Sequence, residues 1–213
     1  MAEIIEVLPD FDGMACKYDP SKNPLFRAIV VENLREIAKC SLGRNLLYKI
    51  AQAAPKSRAD FMPGVNVLVQ PKPTTYTQSG MKLSYIKGTE TPNGLVKSDD
   101  SKHRPEGCPF YTAGGSCNAA VVPGSSDNGQ GTVCYMNFTN VQVSTSKGEK
   151  VYPYIVLAHE LIHSYHCLYG IKKKGKDEEL WTTGIGVFRD EVMSENTLRK
   201  LLAPELGTRS QYY

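Results

Sequence analysis

His159, Glu160 and His163 stand in the spacing H-E-x-x-H inside the run YIVLAHELIHSYHCLYG, residues 154–170. Four residues of helix rotate the chain by about 400°, so the two imidazoles project from one face, one turn apart, close enough to share a metal ion. Glu160, one step round from His159, is poorly aimed to ligate and well placed to take a proton from a water molecule. The rest of the run is apolar, with Ile155, Val156, Leu157, Leu161, Ile162 and Leu168. Two imidazoles and a carboxylate turned into such surroundings are costly unless something satisfies them, and a metal would.

Two imidazoles do not complete a catalytic zinc site, which takes three protein ligands and leaves its fourth position open. His166 is on the same helix, but three residues of rise, ~4.5 Å, carry it past the ion, so it reads as a packed or supporting residue. Gly170 is a natural stop for the helix, IKKKGK reverses the chain, and DEELWTTGIG starts another helix at residues 177–186. A glutamate on that returning helix is the expected third ligand, and Glu178 and Glu179 are the candidates. The basic run Lys172, Lys173, Lys174 and Lys176 reads as a solvated turn.

The elements that must position these groups are helical at both ends and strand-like between. Phe26, Ile29, Val30, Leu34 and Ile37 recur at helical spacing after the Asn23-Pro24 pair, and a second helix is expected after Gly43, burying Leu46, Leu47 and Ile50. Residues 65–70, 81–88, 117–122 and 132–138 are short strand candidates between Gly, Pro, Asn and Ser clusters. SDDSKHRPEG and the Gly-rich stretches within 106–131 read as loops. Connections between the strands look too short for crossover helices, which predicts a mostly antiparallel sheet packed against helices. The fold class is α+β, with one domain over 1–213 and residues 1–20 as a possible flexible leader.

Composition narrows the functional classes. Hydrophobic residues make up 41% and charged residues 22%, as in ordinary globular chains. A net charge of +3 gives no reason to expect nucleic acid or a membrane surface as partner. No apolar run approaches the ~20 residues that cross a bilayer, and a soluble monomer is expected. The N-terminus has acids where a general secretory signal has basic residues, so any export would use a specialised route. The six cysteines are irregularly spaced with no C-x-x-C pair, and reduced thiols are expected.

HELIHSYHCLYG resembles the zinc helix of the clostridial neurotoxin light chains, and EELWTTG resembles the segment that supplies their third ligand. A broader resemblance, over most of the chain, is to the NleD-type bacterial effector proteases, with XopG-like members among plant pathogens. NPLFRAIVVENLREIAKCSLGRNLLYKI is similar to their leading helical segment, and SENTLRKLLAPELGTRSQYY to their closing E-N-x-L-R and R-x-x-Y pattern. The resemblance implies a gluzincin-type zinc endopeptidase with a zincin-like fold, delivered into the cytosol of a host cell by type III secretion. It also implies that the substrate is a host mitogen-activated protein kinase, cut in its activation loop. By carry-over, His159, His163 and Glu179 bind Zn2+, Glu160 is the general base, and Glu178 orients a histidine. Arg209 and Tyr212 line up with an arginine and a tyrosine that face the scissile carbonyl, where a cation and a phenol stabilise developing charge; a frayed tail is the competing expectation there. The alternatives are the toxin domain of a polymorphic secretion system, which a long secreted parent protein would mark, and a non-enzymatic protein with a structural metal, which would close all four positions.

Overall fold

The computed structural model describes residues 2–54, 63–71, 77–78, 81–82, 115–119, 133–138, 143–144 and 150–210. Strands β1 (Ile4–Val7) and β2 (Met14–Tyr18) come first, followed by helices α1 (Phe26–Ala38) and α2 (Ser41–Gln52) and strand β3 (Val67–Pro71). Then come β4 (Thr77–Gln78), β5 (Met81–Lys82), β6 (Gly115–Ala119), β7 (Cys134–Phe138), β8 (Val143–Ser144) and β9 (Lys150–Val151). Helices α3 (Pro153–Leu168), α4 (Lys176–Thr183) and α5 (Glu195–Leu202) close the chain. Beyond Lys82, the strand expected over 81–88 lies outside the described residues, as do most of the expected loops. No helix among the described residues is long and apolar enough to cross a membrane.

The main sheet has five strands in the order β1-β2-β3-β7-β6. Its two central pairings, β2 with β3 and β3 with β7, are parallel, and the pairings at either edge are antiparallel. The expectation of a mostly antiparallel sheet is therefore corrected. Its premise failed because a strand precedes the helical pair: α1 and α2 are themselves the crossover that lets β3 run parallel to β2. Within residues 1–20, the stretch expected as a possible leader, 4–7 and 14–18 are strands. Met14, Ala15 and Cys16 are all buried, so β2 lacks the apolar–polar alternation by which a half-buried strand announces itself.

One face of the sheet carries Met14, Cys16 and Tyr18, then Val67 and Val69, then Cys134, Met136 and Phe138, in a single core with α1, α2 and α3. The register sets Met14 beside Val67 and Val67 beside Cys134, so alternate residues of neighbouring strands line up on that face. Helix α3 runs through the middle of this layer, touching α1, α2, α4, α5, β6 and β7. That explains its apolar residues on nearly all sides, the mark of an enclosed helix. Pro153 opens it at the first helical position, where a missing N–H costs nothing. The four cysteines whose side chains are described, Cys16, Cys40, Cys134 and Cys167, are free thiols.

Helix α2 starts at Ser41, two residues before Gly43, which corrects its expected start. The glycine is inside the first turn because α1 passes so close: a Cβ there would lie 1.9 Å from the Ile37 carbonyl oxygen. Substituting Gly43→Ala must push the two helices apart, and overpacking of this kind typically costs ~1–3 kcal/mol. The expected outcome is a melting temperature lower by roughly 2–12 °C at this chain length, read by differential scanning calorimetry; an unchanged transition would show that the helix crossing gives way freely.

Candidate metal centre

His159, His163 and His166 lie on the face of α3 that meets α4 and α5, and all three are buried. The approach of α4 is set by the end of α3. Gly170, with φ of 70°, takes the left-handed conformation, and the Ile171 and Gly170 N–H groups donate to the carbonyls of His166 and Cys167. This Schellman arrangement stops the helix and turns the chain back. The acids Asp177, Glu178 and Glu179 fall in the first turn of α4, where the helix dipole favours them.

Each imidazole is held by a carboxylate through Nδ1. His159 Nδ1 is 2.9 Å from Glu195 Oε2, and His163 Nδ1 is 2.8 Å from Glu178 Oε1. An ionised carboxylate can only accept, so both Nδ1 atoms carry protons and, in the neutral rings, both Nε2 atoms present lone pairs. Those Nε2 atoms are 3.0 Å apart. Glu179 completes a triangle, with Oε2 3.4 Å from His159 Nε2 and Oε1 3.4 Å from His163 Nε2. Two ligands of a tetrahedral zinc, each at ~2.0–2.1 Å, sit ~3.3 Å apart. The three donor atoms therefore fit that ion, and facing lone pairs at this separation repel unless a cation lies between them.

The adjacent glutamates on α4 thus take different places: Glu179 faces the two Nε2 atoms and Glu178 stands behind His163. Glu179 is also the more open, with its side chain 37% exposed, so one corner of the cluster reaches solvent. Glu160 is buried next to His159, and its negative charge acts on His163. His166 points away from the triangle to Glu178 Oε1, at 2.8 Å. That one oxygen serves both His163 and His166, so the second grouping of possible metal-binding side chains, His163 with His166 and Glu178, is accounted for by hydrogen bonds.

Arg209 is not frayed. It is 2% exposed, and the side chain of Asn196 clamps its backbone, accepting from the Arg209 N–H at 2.6 Å and donating to its carbonyl at 2.9 Å. Its Nη1 donates to Glu195 Oε2 at 2.6 Å. Arg199 donates to the other oxygen, Oε1, at 3.3 Å. Tyr212 lies outside the described residues. Glu195, Arg199, Asn196 and Thr182, whose hydroxyl lies 3.2 Å from His163 Nδ1, are the members of the site that spacing did not single out. Glu195 and Arg199 read in sequence as a first-turn acid with an ordinary i,i+4 partner on a surface helix.

The charges ask for a cation. Glu160, Glu178, Glu179 and Glu195 supply four carboxylates against the two guanidiniums of Arg199 and Arg209, so within this group negative charge exceeds positive by two. Burial opposes a charge on His163, yet Glu178 and Glu179 outweigh it and push the imidazole up to about 10. His159 is raised in the same way, burial being overcome by Glu179 and Glu195. Burial likewise works against the charge of Glu195, and Arg209 with His159 nevertheless brings its carboxyl down to about 2. In the metal-free protein, protons on the imidazoles take the place of a cation.

No protein-family model matches the sequence, and no curated protein matches it. Among solved structures, the chain is similar to the light chain of botulinum neurotoxin type G, at 14% identity and a TM-score of 0.43, over 76% of this chain and 45% of that one. It is similar also to the light chain of botulinum neurotoxin serotype HA, at 14% identity and a TM-score of 0.39, over 88% and 49%. The chain thus spans under half the length of either light chain. Likenesses this loose carry no argument, and the site stands on its own geometry.

A folded-state imidazole raised to about 10 is protonated at pH 7 in the metal-free protein, and a ligating imidazole must be neutral. Zinc binding at pH 7 is therefore expected to release at least about one proton per ion. Calorimetric titration in two buffers of different ionisation enthalpy measures this directly. Heats that do not depend on the buffer would overturn the assignment of protons to the metal-free triangle.

Proposed function

We propose that the chain is a zinc-dependent endopeptidase. The observation that carries this reading is the triangle of His159 Nε2, His163 Nε2 and Glu179, with edges of 3.0, 3.4 and 3.4 Å, beside a buried carboxylate on the same helix. Three ligands with one side toward solvent are the pattern of a catalytic zinc site, whereas a structural site closes all four positions with Cys or His. Zinc bound there supplies a Lewis acid that makes a water nucleophilic near neutral pH.

The chain's own residues do the rest. His159, His163 and Glu179 bind the ion, and Glu195 and Glu178 fix the two imidazole planes through Nδ1, so that in the neutral ring Nε2 is the nitrogen that carries the lone pair. Glu160 takes the proton of the attacking water on its carboxylate and passes it to the nitrogen of the leaving amine. The Arg209 guanidinium has five donors in a rigid fork. Its bond to Glu195 sets the plane of that fork, and Arg209, together with Tyr212, stabilises charge on the scissile carbonyl oxygen.

The finer reading is of an effector delivered into a host cell by type III secretion that cuts a mitogen-activated protein kinase in its activation loop. What supports it is the sequence resemblance to NleD-type effectors, in the leading helical segment and in the closing E-N-x-L-R and R-x-x-Y pattern, whose Glu195, Asn196, Arg199 and Arg209 meet in one buried network.

Incubation of the purified protein with candidate kinases and with an unfolded general substrate such as casein, with and without chelator, tests both levels. Glu160→Gln is expected to keep its zinc and to lose ~10²–10⁴-fold in kcat, while Glu179→Ala is expected to lose the zinc itself. Cleavage of casein alone would end the kinase assignment. A zinc-loaded protein that cleaves neither substrate would end the endopeptidase reading.

A further inference from the structure

His166 is a buried histidine that takes no part in the triangle of donor atoms. Its ring is stacked on Trp181 at 3.7 Å between centroids and 6° between planes. Trp181 is fixed in turn, its indole N–H donating to Glu191 Oε2 at 2.8 Å, with the Lys173 ammonium 4.6 Å from its ring centre. The Nδ1 of His166 is 2.8 Å from Glu178 Oε1, while its Nε2 has no hydrogen-bond partner among the described residues. Leaving a buried polar nitrogen unmet costs free energy. A phenylalanine of nearly the same shape would stack on the same indole without that cost. The half of the imidazole that is satisfied, the Nδ1–H directed at Glu178, is what distinguishes histidine at this position.

Glu178 is worth holding. Its Oε1 accepts from His163 Nδ1 at 2.8 Å and its Oε2 accepts from the Lys173 backbone N–H at 2.8 Å. The carboxylate therefore links the turn after α3, the start of α4 and the imidazole of His163. A glutamate side chain has three rotatable bonds, and two fixed oxygens remove that freedom before any metal arrives. We propose that His166 is a positioning residue of the metal centre. Stacked on Trp181, it locks Glu178 Oε1 against His163 Nδ1 and so holds the Nε2 atom of His163 in the ligating direction. This rests on the zinc reading and adds to it a residue that touches neither metal nor substrate.

The test is zinc affinity, by competition with a chromophoric chelator, alongside the melting temperature of the metal-free protein. His166→Phe keeps the stack and removes the Nδ1–H, and it is expected to bind zinc ~10-fold or more weakly while the metal-free protein melts no lower than the parent. His166→Asn, whose amide N–H₂ falls near the position of Nδ1–H, is expected to recover most of the affinity. A merely structural His166 predicts unchanged affinity in His166→Phe, and that result overturns the proposal, as does His166→Asn binding no better than His166→Phe. If neither variant folds, Trp181→Leu, which takes away the ring that aims His166, is expected to weaken zinc in the same direction, and normal affinity in it overturns the proposal. A parent protein that itself holds no zinc would end the parent reading and this one together, and is told apart by the parent's own titration.

Discussion

Two imidazole nitrogens 3.0 Å apart, each turned toward the other by a carboxylate behind its ring, form the arrangement on which the C-terminal half of this chain depends. Rotating either ring would relieve the conflict, but neither can turn without breaking a bond of 2.8–2.9 Å to a buried glutamate. The conflict is therefore built in, and it is resolved by a cation. A proton can fill the gap at the cost of charging a buried imidazole; a divalent ion can fill it while also matching the surplus of negative charge around it. The same local electrostatics thus explain both the raised imidazoles of the metal-free chain and its fitness for a metal.

Such an arrangement needs three helices brought to one point, and each approach has an identifiable cause. The Schellman turn at Gly170 sends the chain back so that α4 lies beside α3. Gly184, with φ of 76°, ends α4 in a conformation that other residues adopt only with strain, and there a Cβ would come within 2.5 Å of the Ser194 hydroxyl. That contact is what allows α5 to start so near the end of α4. Asn196 then joins the parts, donating to the Gly184 carbonyl at 3.1 Å and bracketing the backbone of Arg209. The placement of Glu195 behind His159 therefore depends on two glycines and one amide, none of which belongs to the triangle of donor atoms.

What was legible in the sequence was periodic. H-E-x-x-H is a helical spacing, and the apolar residues around it fix the helix, so the paired imidazoles followed directly. The choice between Glu178 and Glu179 stayed open because neighbouring residues differ only in helical phase, about 100°, and phase depends on how α4 packs. The sheet was misjudged where the pattern was missing: Met14, Ala15 and Cys16, buried on both faces, carry no alternation to betray a strand. Spacing could not pick out Glu195, which entered only as the first residue of the E-N-x-L-R resemblance, since it lies 36 residues from His159 and sits behind a Ser194 cap in a helix whose exposed Lys200 and Leu201 suggest a surface element.

His159 and His163 differ in how their carboxylates are braced. Glu195 is braced by charge: two guanidiniums bind it, and its carboxyl stays ionised down to about pH 2 despite full burial. Glu178 is braced by neutral donors, namely the Lys173 backbone N–H, the Thr182 hydroxyl and His166. A second pair of arginines behind His163 would cancel the negative surplus that makes a dication welcome, whereas neutral donors orient the carboxylate and leave its charge in place. The asymmetry follows from one requirement, that both imidazoles be held rigidly while the cluster as a whole remains short of positive charge.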